Sequence, residues 1–162
     1  MGADGQALFR TGLDDPAALA TIAEGFGAVA VTLDAAAFQA SAADTLPSVD
    51  AAMLAPPGGD ELADYLASTT RSAFSHGPHG MTDDVLAFTT SWAFDLAALT
   101  CPVTIWHGTA DENVPVAHGR WLVDHVPGAE GRFVDGAGHV SILTELPTVV
   151  DRVAVLAGTR NL

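Results

Sequence analysis

The pattern of apolar and polar positions divides the chain into two parts of different character. Residues 1–95 show short helical stretches interrupted by proline and glycine, whereas residues 96–162 alternate between strand-like and helix-like stretches. The clearest helix is predicted over residues 60–74, where apolar side chains such as Leu62 and Leu66 recur at helical spacing on one face. We therefore expect a helical part followed by an α/β part.

The other helices of the first part are predicted from their end signals. An aspartate ahead of Pro16 indicates a helix that begins at Pro16 and ends near Glu24, because Gly25 and Gly27 follow. Residues 28–33 fit a strand or a helix end. Further helices are expected over residues 35–43 (capped by Asp34), over 47–54 and from Thr82 onward, with a loop over 77–80.

Two short strands are predicted in the second part, and the length and the β-branched side chains of the first are typical of a buried strand. Residues 103–106 are rich in β-branched side chains, and residues 131–134 follow a predicted helix over 116–126. A final helix is predicted over residues 141–157. This succession of strand, helix, strand and helix predicts a parallel sheet with helices on its faces.

Composition and charge narrow the class of protein. Of the 162 residues 49% are apolar and 16% are charged, a composition that excludes a disordered chain. No apolar run approaches the length of about 20 residues that a membrane-spanning helix needs. Twenty acidic residues against six arginines give a net charge of −14, which excludes nucleic acid and anionic membrane as partners. The single Cys101, expected to be buried, excludes a disulfide framework. A cytoplasmic protein without cofactor is expected.

Two polar residues lie just beyond the predicted strands. Asp111 follows Trp106 by five residues, and His139 follows Val134 by five. Because the carboxyl ends of parallel strands meet at one edge of a sheet, we expect the two side chains to lie together. A carboxylate that orients an imidazole is the acid–base half of a nucleophilic triad. The plain alternative makes Asp111 a turn former and His139 a helix cap or a solvated residue.

The same residues belong to a longer string that resembles a known family. Residues 102–115 follow the pattern P-V-x-x-x-x-G-x-x-D-x-x-V-P, and a G-x-G-H sequence ends at His139. With residues 92–99 and 126–129, they resemble the C-terminal part of α/β-hydrolase fold proteins. The resemblance implies that Asp111 is the catalytic acid and His139 the catalytic base of a Ser-Asp-His triad acting on small esters or amides.

The resemblance also implies a domain organisation. Residues 11–91 resemble the helical cap of such hydrolases, and residues 77–84 resemble the end of the cap in the proline-iminopeptidase-like branch. The fold class expected is therefore α/β: a helical cap-like segment over 1–95, then the last two parallel strands and flanking helices of an α/β-hydrolase sheet over 96–162.

One departure from the family is large. The G-x-S-x-G elbow that carries the nucleophile, and the oxyanion loop, both stand upstream of the cap in the family, and neither occurs in this sequence. We expect a chain that supplies acid and base but is inactive alone, with the N-terminal half upstream or on a separate chain. The alternative is a non-catalytic module that self-associates or pairs with a partner through an exposed sheet edge. A third possibility is a new packing of these residues.

Other chemistry-bearing residues are assigned plainer roles. Glu112 is a second candidate for the acid, and Ser75, next to His76, is a weak candidate nucleophile without an elbow around it. His76 and His79 lack a third metal ligand nearby, so solvated side chains and no metal are expected.

His118 and His125 are expected on a helix surface, and the tryptophans in the core. The available hydroxyls are Ser41, Ser48, Ser68, Ser72, Ser75, Ser91 and Ser141; the tryptophans are Trp92, Trp106 and Trp121.

Overall fold

The computed structural model describes residues 3–91 and 93–158 and separates them into two compact units, Met1–Ala93 and Phe94–Leu162. The described residues form eight α-helices and two parallel strands, which is an α/β composition in the general sense. The boundary lies two residues before the predicted division at 95/96. None of the described helices combines the length and the apolar character that crossing a membrane requires.

The first unit is helical throughout. Its elements are α1 (Ala3–Asp14), α2 (Pro16–Ala30), α3 (Ala35–Thr45), α4 (Ser48–Leu54), α5 (Asp60–Phe74) and α6 (His79–Thr89). The predicted starts of α2 and α3 are confirmed, because Asp15 and Asp34 accept hydrogen bonds from backbone N–H groups of the first turns. The predicted bounds of α4 and α5 are confirmed within one residue.

The predicted end of α2 near Glu24 is wrong. The helix continues through both glycines to Ala30, so residues 28–30 are its last turn. The physical reason lies at Gly27, which is buried and faces α5 and its exit loop: an added Cβ would lie 3.2 Å from the Phe74 ring and 3.6 Å from Pro78. Gly27 therefore permits close packing of α2, and tertiary packing overrides the low helix propensity of glycine.

The loop predicted over residues 77–80 is also wrong in part. The helix α6 begins at His79 rather than Thr82, with Pro78 at its N-cap and Met81 N–H bonded to the Pro78 carbonyl at 3.1 Å. The fixed φ of proline favours the start of a helix, and this start lies three residues before the one that the polar Thr82 suggested.

One buried apolar cluster of the helical unit lies between α3, α4 and α5. Ala42, Leu54 and Ala63 are buried there, and partly buried apolar side chains such as Phe38 and Leu66 pack against them. A side-chain amide links the three helices: Gln39 Nε2 on α3 donates to the Leu54 carbonyl of α4 at 2.9 Å and to Asp60 Oδ1 of α5 at 3.0 Å.

The second unit is built on two parallel strands. Its elements are β1 (Thr104–Gly108), α7 (Val116–His125), β2 (Glu130–Val134) and α8 (Leu146–Gly158), with 3₁₀ turns at Leu96–Ala98 and Ser141–Glu145. The predicted parallel pair is confirmed, and its register joins Thr104 to Glu130 and Gly108 to Val134. In the described residues the sheet consists of these two strands alone, so an α/β-hydrolase sheet is not established.

The single final helix predicted over residues 141–157 is divided in the structure. Residues Ser141–Glu145 form a 3₁₀ turn, and α8 begins only at Leu146. Pro147 explains the division. A proline has no backbone N–H to donate to the carbonyl four residues earlier, so it is tolerated only in the first turn of a helix.

Three expectations about burial have different outcomes. Trp121 is half exposed and stacks on His125 with 3.9 Å between ring centroids, so its predicted place in the core is wrong. The expected burial of Cys101 is wrong as well, since this thiol is exposed. Trp106 is half-buried within β1, and Trp92 lies outside the described residues. His118 and His125 are on the exposed surface of α7, as predicted.

The two loops that follow β1 and β2 approach each other closely at Gly108. An added Cβ there would lie 2.2 Å from the Ala137 carbonyl oxygen and 2.8 Å from that of Gly138. Two rigid backbone groups occupy the space that a side chain would need, so position 108 requires glycine. This close approach sets how far apart the two loops lie.

We expect Gly108→Ala to lower the free energy of unfolding by at least about 2 kcal/mol, because the new methyl group would push the two loops apart. Urea unfolding followed by tryptophan fluorescence checks this, since Trp106 and Trp121 both lie in the second unit. Gly158→Ala is the matched control, because nothing lies within 4 Å of an added Cβ at that position. Equal stability of the two variants would contradict the close approach.

Candidate active site

Asp111 is held by its own loop. Its Oδ1 accepts hydrogen bonds from the backbone N–H groups of Asn113 at 2.9 Å and Val114 at 2.8 Å. An aspartate that bonds N–H groups two and three residues ahead stabilises a tight turn, which is a common use of aspartate in loops. The side chain is only 7% exposed. Oδ1 of this carboxylate therefore has the turn-forming role, and both turn contacts leave Oδ2 outside them.

His139 lies in the loop that follows β2. Gly136 has a φ of +72°, a left-handed conformation that favours glycine, and it turns the chain away from the strand. Gly138 N–H donates to Ser141 Oγ at 2.7 Å, which ties the loop to the following 3₁₀ turn. The imidazole is 47% exposed. The backbone around His139 is therefore fixed while the ring keeps access to solvent.

The structure brings the two predicted site residues together. His139 Nδ1 lies 3.0 Å from Asp111 Oδ2. An ionised carboxylate only accepts hydrogen bonds, so Nδ1 carries the proton of this contact, and in the neutral ring Nε2 carries the lone pair. Glu112, the second candidate for the acid, is exposed, and Asp111 is the carboxylate that meets the imidazole.

Backbone and threonine hydrogen bonds hold the two loops in register. Thr109 N–H donates to the Val134 carbonyl and Ala110 N–H to the Ala137 carbonyl, both at 2.9 Å. The Thr109 hydroxyl donates to Asp135 Oδ1 at 3.2 Å and accepts from Gly136 N–H at 2.9 Å. These contacts continue the strand pairing beyond the sheet and fix the separation of the loops that carry the carboxylate and the imidazole.

A second histidine, His107, also faces Asp111, and sequence reasoning did not single it out. Its Nε2 donates to the Val114 carbonyl at 2.8 Å and lies 3.7 Å from Asp111 Oδ2. The ring is 11% exposed. The signal that could have found it is its place on the predicted strand side of the loop, four residues before Asp111.

The geometry of the pair suits proton transfer. A carboxylate beside an imidazole stabilises the imidazolium that forms when the ring takes up a proton, and it fixes the tautomer before that step. Asp111 is nearly buried, so its interaction with His139 is weakened less by solvent than that of an exposed pair. The half-exposed imidazole can therefore exchange a proton with a group brought to it.

The other candidate residues do not form a comparable site. In the helical unit Ser75 Oγ lies 2.9 Å from His76 Nδ1 and also donates to the Ser72 carbonyl at 2.8 Å. Because the Ser75 hydroxyl donates its proton to that carbonyl, His76 Nδ1 is the donor to Ser75 Oγ and does not act as a base toward it, and the pair is exposed at the end of α5. Within residues 3–91 and 93–158, no three histidine, cysteine or carboxylate side chains cluster in a way that could hold a metal ion.

No known family model matches the chain, and no curated protein matches it.

We expect Asp111→Ala to lower the free energy of unfolding by about 1–3 kcal/mol, because it leaves two backbone N–H groups without their acceptor. Asp111→Asn retains an oxygen for those N–H groups, so it should lower the free energy of unfolding by less than about 1 kcal/mol. Urea unfolding of the two variants provides the comparison. Equal losses would show that the turn contacts of Asp111 contribute nothing.

Proposed function

We propose that this chain supplies the acid and base half of a hydrolase that acts on small esters or amides. Asp111 orients the imidazole, and His139 moves the proton. The observation that carries the proposal is the 3.0 Å contact between His139 Nδ1 and Asp111 Oδ2, made by a carboxylate whose other oxygen is held by two backbone N–H groups.

The chemistry follows from the protonation pattern of the pair. His139 Nε2 would take the proton of a hydroxyl nucleophile while the hydroxyl oxygen attacks the carbonyl carbon of the substrate. The imidazolium formed would be stabilised by Asp111 and would then give its proton to the leaving alkoxide or amine. The ring is then neutral again and the acyl group is on the nucleophile oxygen. A water molecule, deprotonated by His139 in the same way, would release the acid and restore the hydroxyl.

The hydroxyl nucleophile is proposed to come from outside the described site. The G-x-S-x-G elbow of α/β-hydrolases does not occur in the 162 residues. Ser141, the serine nearest His139 along the chain, is buried, and its Oγ accepts from Gly138 N–H. A serine on another chain or segment, with its own oxyanion donors, would complete the triad. The helical unit is proposed to correspond to the cap segment of such hydrolases.

An added alcohol can stand in for the serine in a test of this function. With p-nitrophenyl acetate and 2,2,2-trifluoroethanol, we expect the chain to accelerate formation of trifluoroethyl acetate and p-nitrophenolate. His139→Ala and Asp111→Asn should each lower that rate by at least about tenfold. Without the alcohol, hydrolysis should not exceed that of His139→Ala.

The controls separate base catalysis from direct attack by exposed imidazoles. His118→Ala removes an exposed histidine of α7 and should leave the rate unchanged. The reaction should be slower in D₂O, because a proton moves in the rate-limiting step. An alcohol-dependent rate that is the same in wild type and His139→Ala would refute the proposed function.

A second candidate function, assembly through the second unit, rests on two different features. The described sheet has only two parallel strands, and parallel sheets are ordinarily larger and covered on both faces. The helix α8 has no fully buried residue, and Leu146, Val150 and Val153, which share one face, are each more than half exposed. Both features fit a unit that pairs with a second copy or a partner chain.

Sedimentation velocity across a wide range of protein concentrations tests the assembly. We expect wild type to associate as concentration rises and Val150→Asp to remain monomeric, because a charge on the apolar face opposes its burial. Thr148→Asp, at an exposed polar position of the same helix, is the control and should associate like wild type. A strictly monomeric wild type would rule out self-association.

A further inference from the structure

We propose that His107 is a positioning residue that holds the Asp111 loop in place and, through it, the tautomer of His139. The inference rests on the proposed function for its catalytic consequence, but its structural content stands on separate contacts. His107 lies on β1, on the strand side of the loop, and is among the least exposed polar side chains near the site.

The first step concerns the backbone of Val114, which is held through both its N–H and its carbonyl group. Its N–H donates to Asp111 Oδ1 at 2.8 Å, and its carbonyl accepts from His107 Nε2 at 2.8 Å. Two side chains therefore hold the end of the loop from Thr109 to Val114: His107 on β1 and Asp111 within the loop itself. Loss of either contact would loosen the Val114 backbone, whose N–H restrains Asp111.

The second step concerns the placement of the ring. The Nδ1 edge of His107 lies against Gly119 of α7, where an added Cβ would be 2.7 Å from Nδ1 and 3.1 Å from Cγ. Gly119 is buried. The imidazole thus occupies space that any larger residue at position 119 would take, and the helix fixes the direction in which Nε2–H points.

The third step concerns the carboxylate oxygen that meets His139. His107 Nε2 is 3.7 Å from Asp111 Oδ2, which is too long for a hydrogen bond but close enough for the N–H dipole to attract the charge. Because the proton of Nε2 is donated to Val114, Oδ2 stays available for His139 at 3.0 Å. His107 therefore acts through Asp111 and not on a substrate.

A purely packing role for His107 makes a different prediction. If the ring only fills space beside α7, an apolar residue of similar size would serve equally well. If the Nε2–H group is what counts, a side chain that retains an N–H donor at that place would rescue the site. His107→Leu and His107→Gln distinguish the two roles, since the glutamine amide can donate to the Val114 carbonyl.

The test reads the tautomer of His139 by ¹⁵N chemical shifts of its ring nitrogens, alongside the alcohol-dependent rate. In His107→Leu we expect His139 no longer to hold a single Nδ1–H tautomer and the alcohol-dependent rate to fall by at least about tenfold. In His107→Gln we expect the tautomer and the rate to stay as in wild type. Gly119→Ala, which crowds the ring from α7 and keeps the histidine, should shift the tautomer in the same direction and remains informative if His107→Leu does not fold.

An unchanged His139 tautomer in folded His107→Leu, or in Gly119→Ala if the leucine variant does not fold, would overturn the positioning role. Failure of the proposed function is distinguishable from this outcome. In that case wild type would show no alcohol-dependent rate, while the tautomer of His139 would still respond to the substitutions at positions 107 and 119.

Discussion

The candidate site depends on the parallel pairing of β1 with β2. The register that joins Gly108 to Val134 ends both strands at the same edge, so the chain leaves the sheet twice at one place. The helix α7 lies between the strands in sequence, and a crossover between parallel strands keeps both exits on the same side. Asp111 and His139, 28 residues apart along the chain, meet for that reason.

The loops beyond the strands turn this proximity into a fixed geometry. Gly108 permits a backbone approach that no side chain would allow, and Thr109 bonds to the β2 loop through its backbone and its hydroxyl. Asp111 then divides its two oxygens between its own turn and the imidazole. Because the carboxylate is nearly buried and already bonded, the direction of Oδ2 is set by the chain itself. This preorganisation is what the proposed acid–base role requires.

The sequence predicted this part of the molecule well, because short-range signals determine it. A β-branched run over residues 103–106, the succession of strand, helix and strand, and a glycine-containing loop after each strand were enough to predict the strands and to expect Asp111 beside His139. The contribution of His107 depends on a contact with α7 at Gly119, which no local pattern contains. The end of α2 was missed for the same reason, since packing of Gly27 against Phe74 overrides a local stop signal. Cys101 and Trp121 show that residue type alone does not predict burial.

The central claim is that Asp111 holds the imidazole of His139 with the proton on Nδ1. The most direct test is a long-range ¹H–¹⁵N correlation spectrum of the wild-type chain with ¹⁵N-labelled histidine, at a pH where the ring is neutral. The account predicts a single tautomer for His139, with Nδ1 protonated and Nε2 bearing the lone pair. A His139 ring protonated on Nε2, or one that averages between the two tautomers, would contradict it.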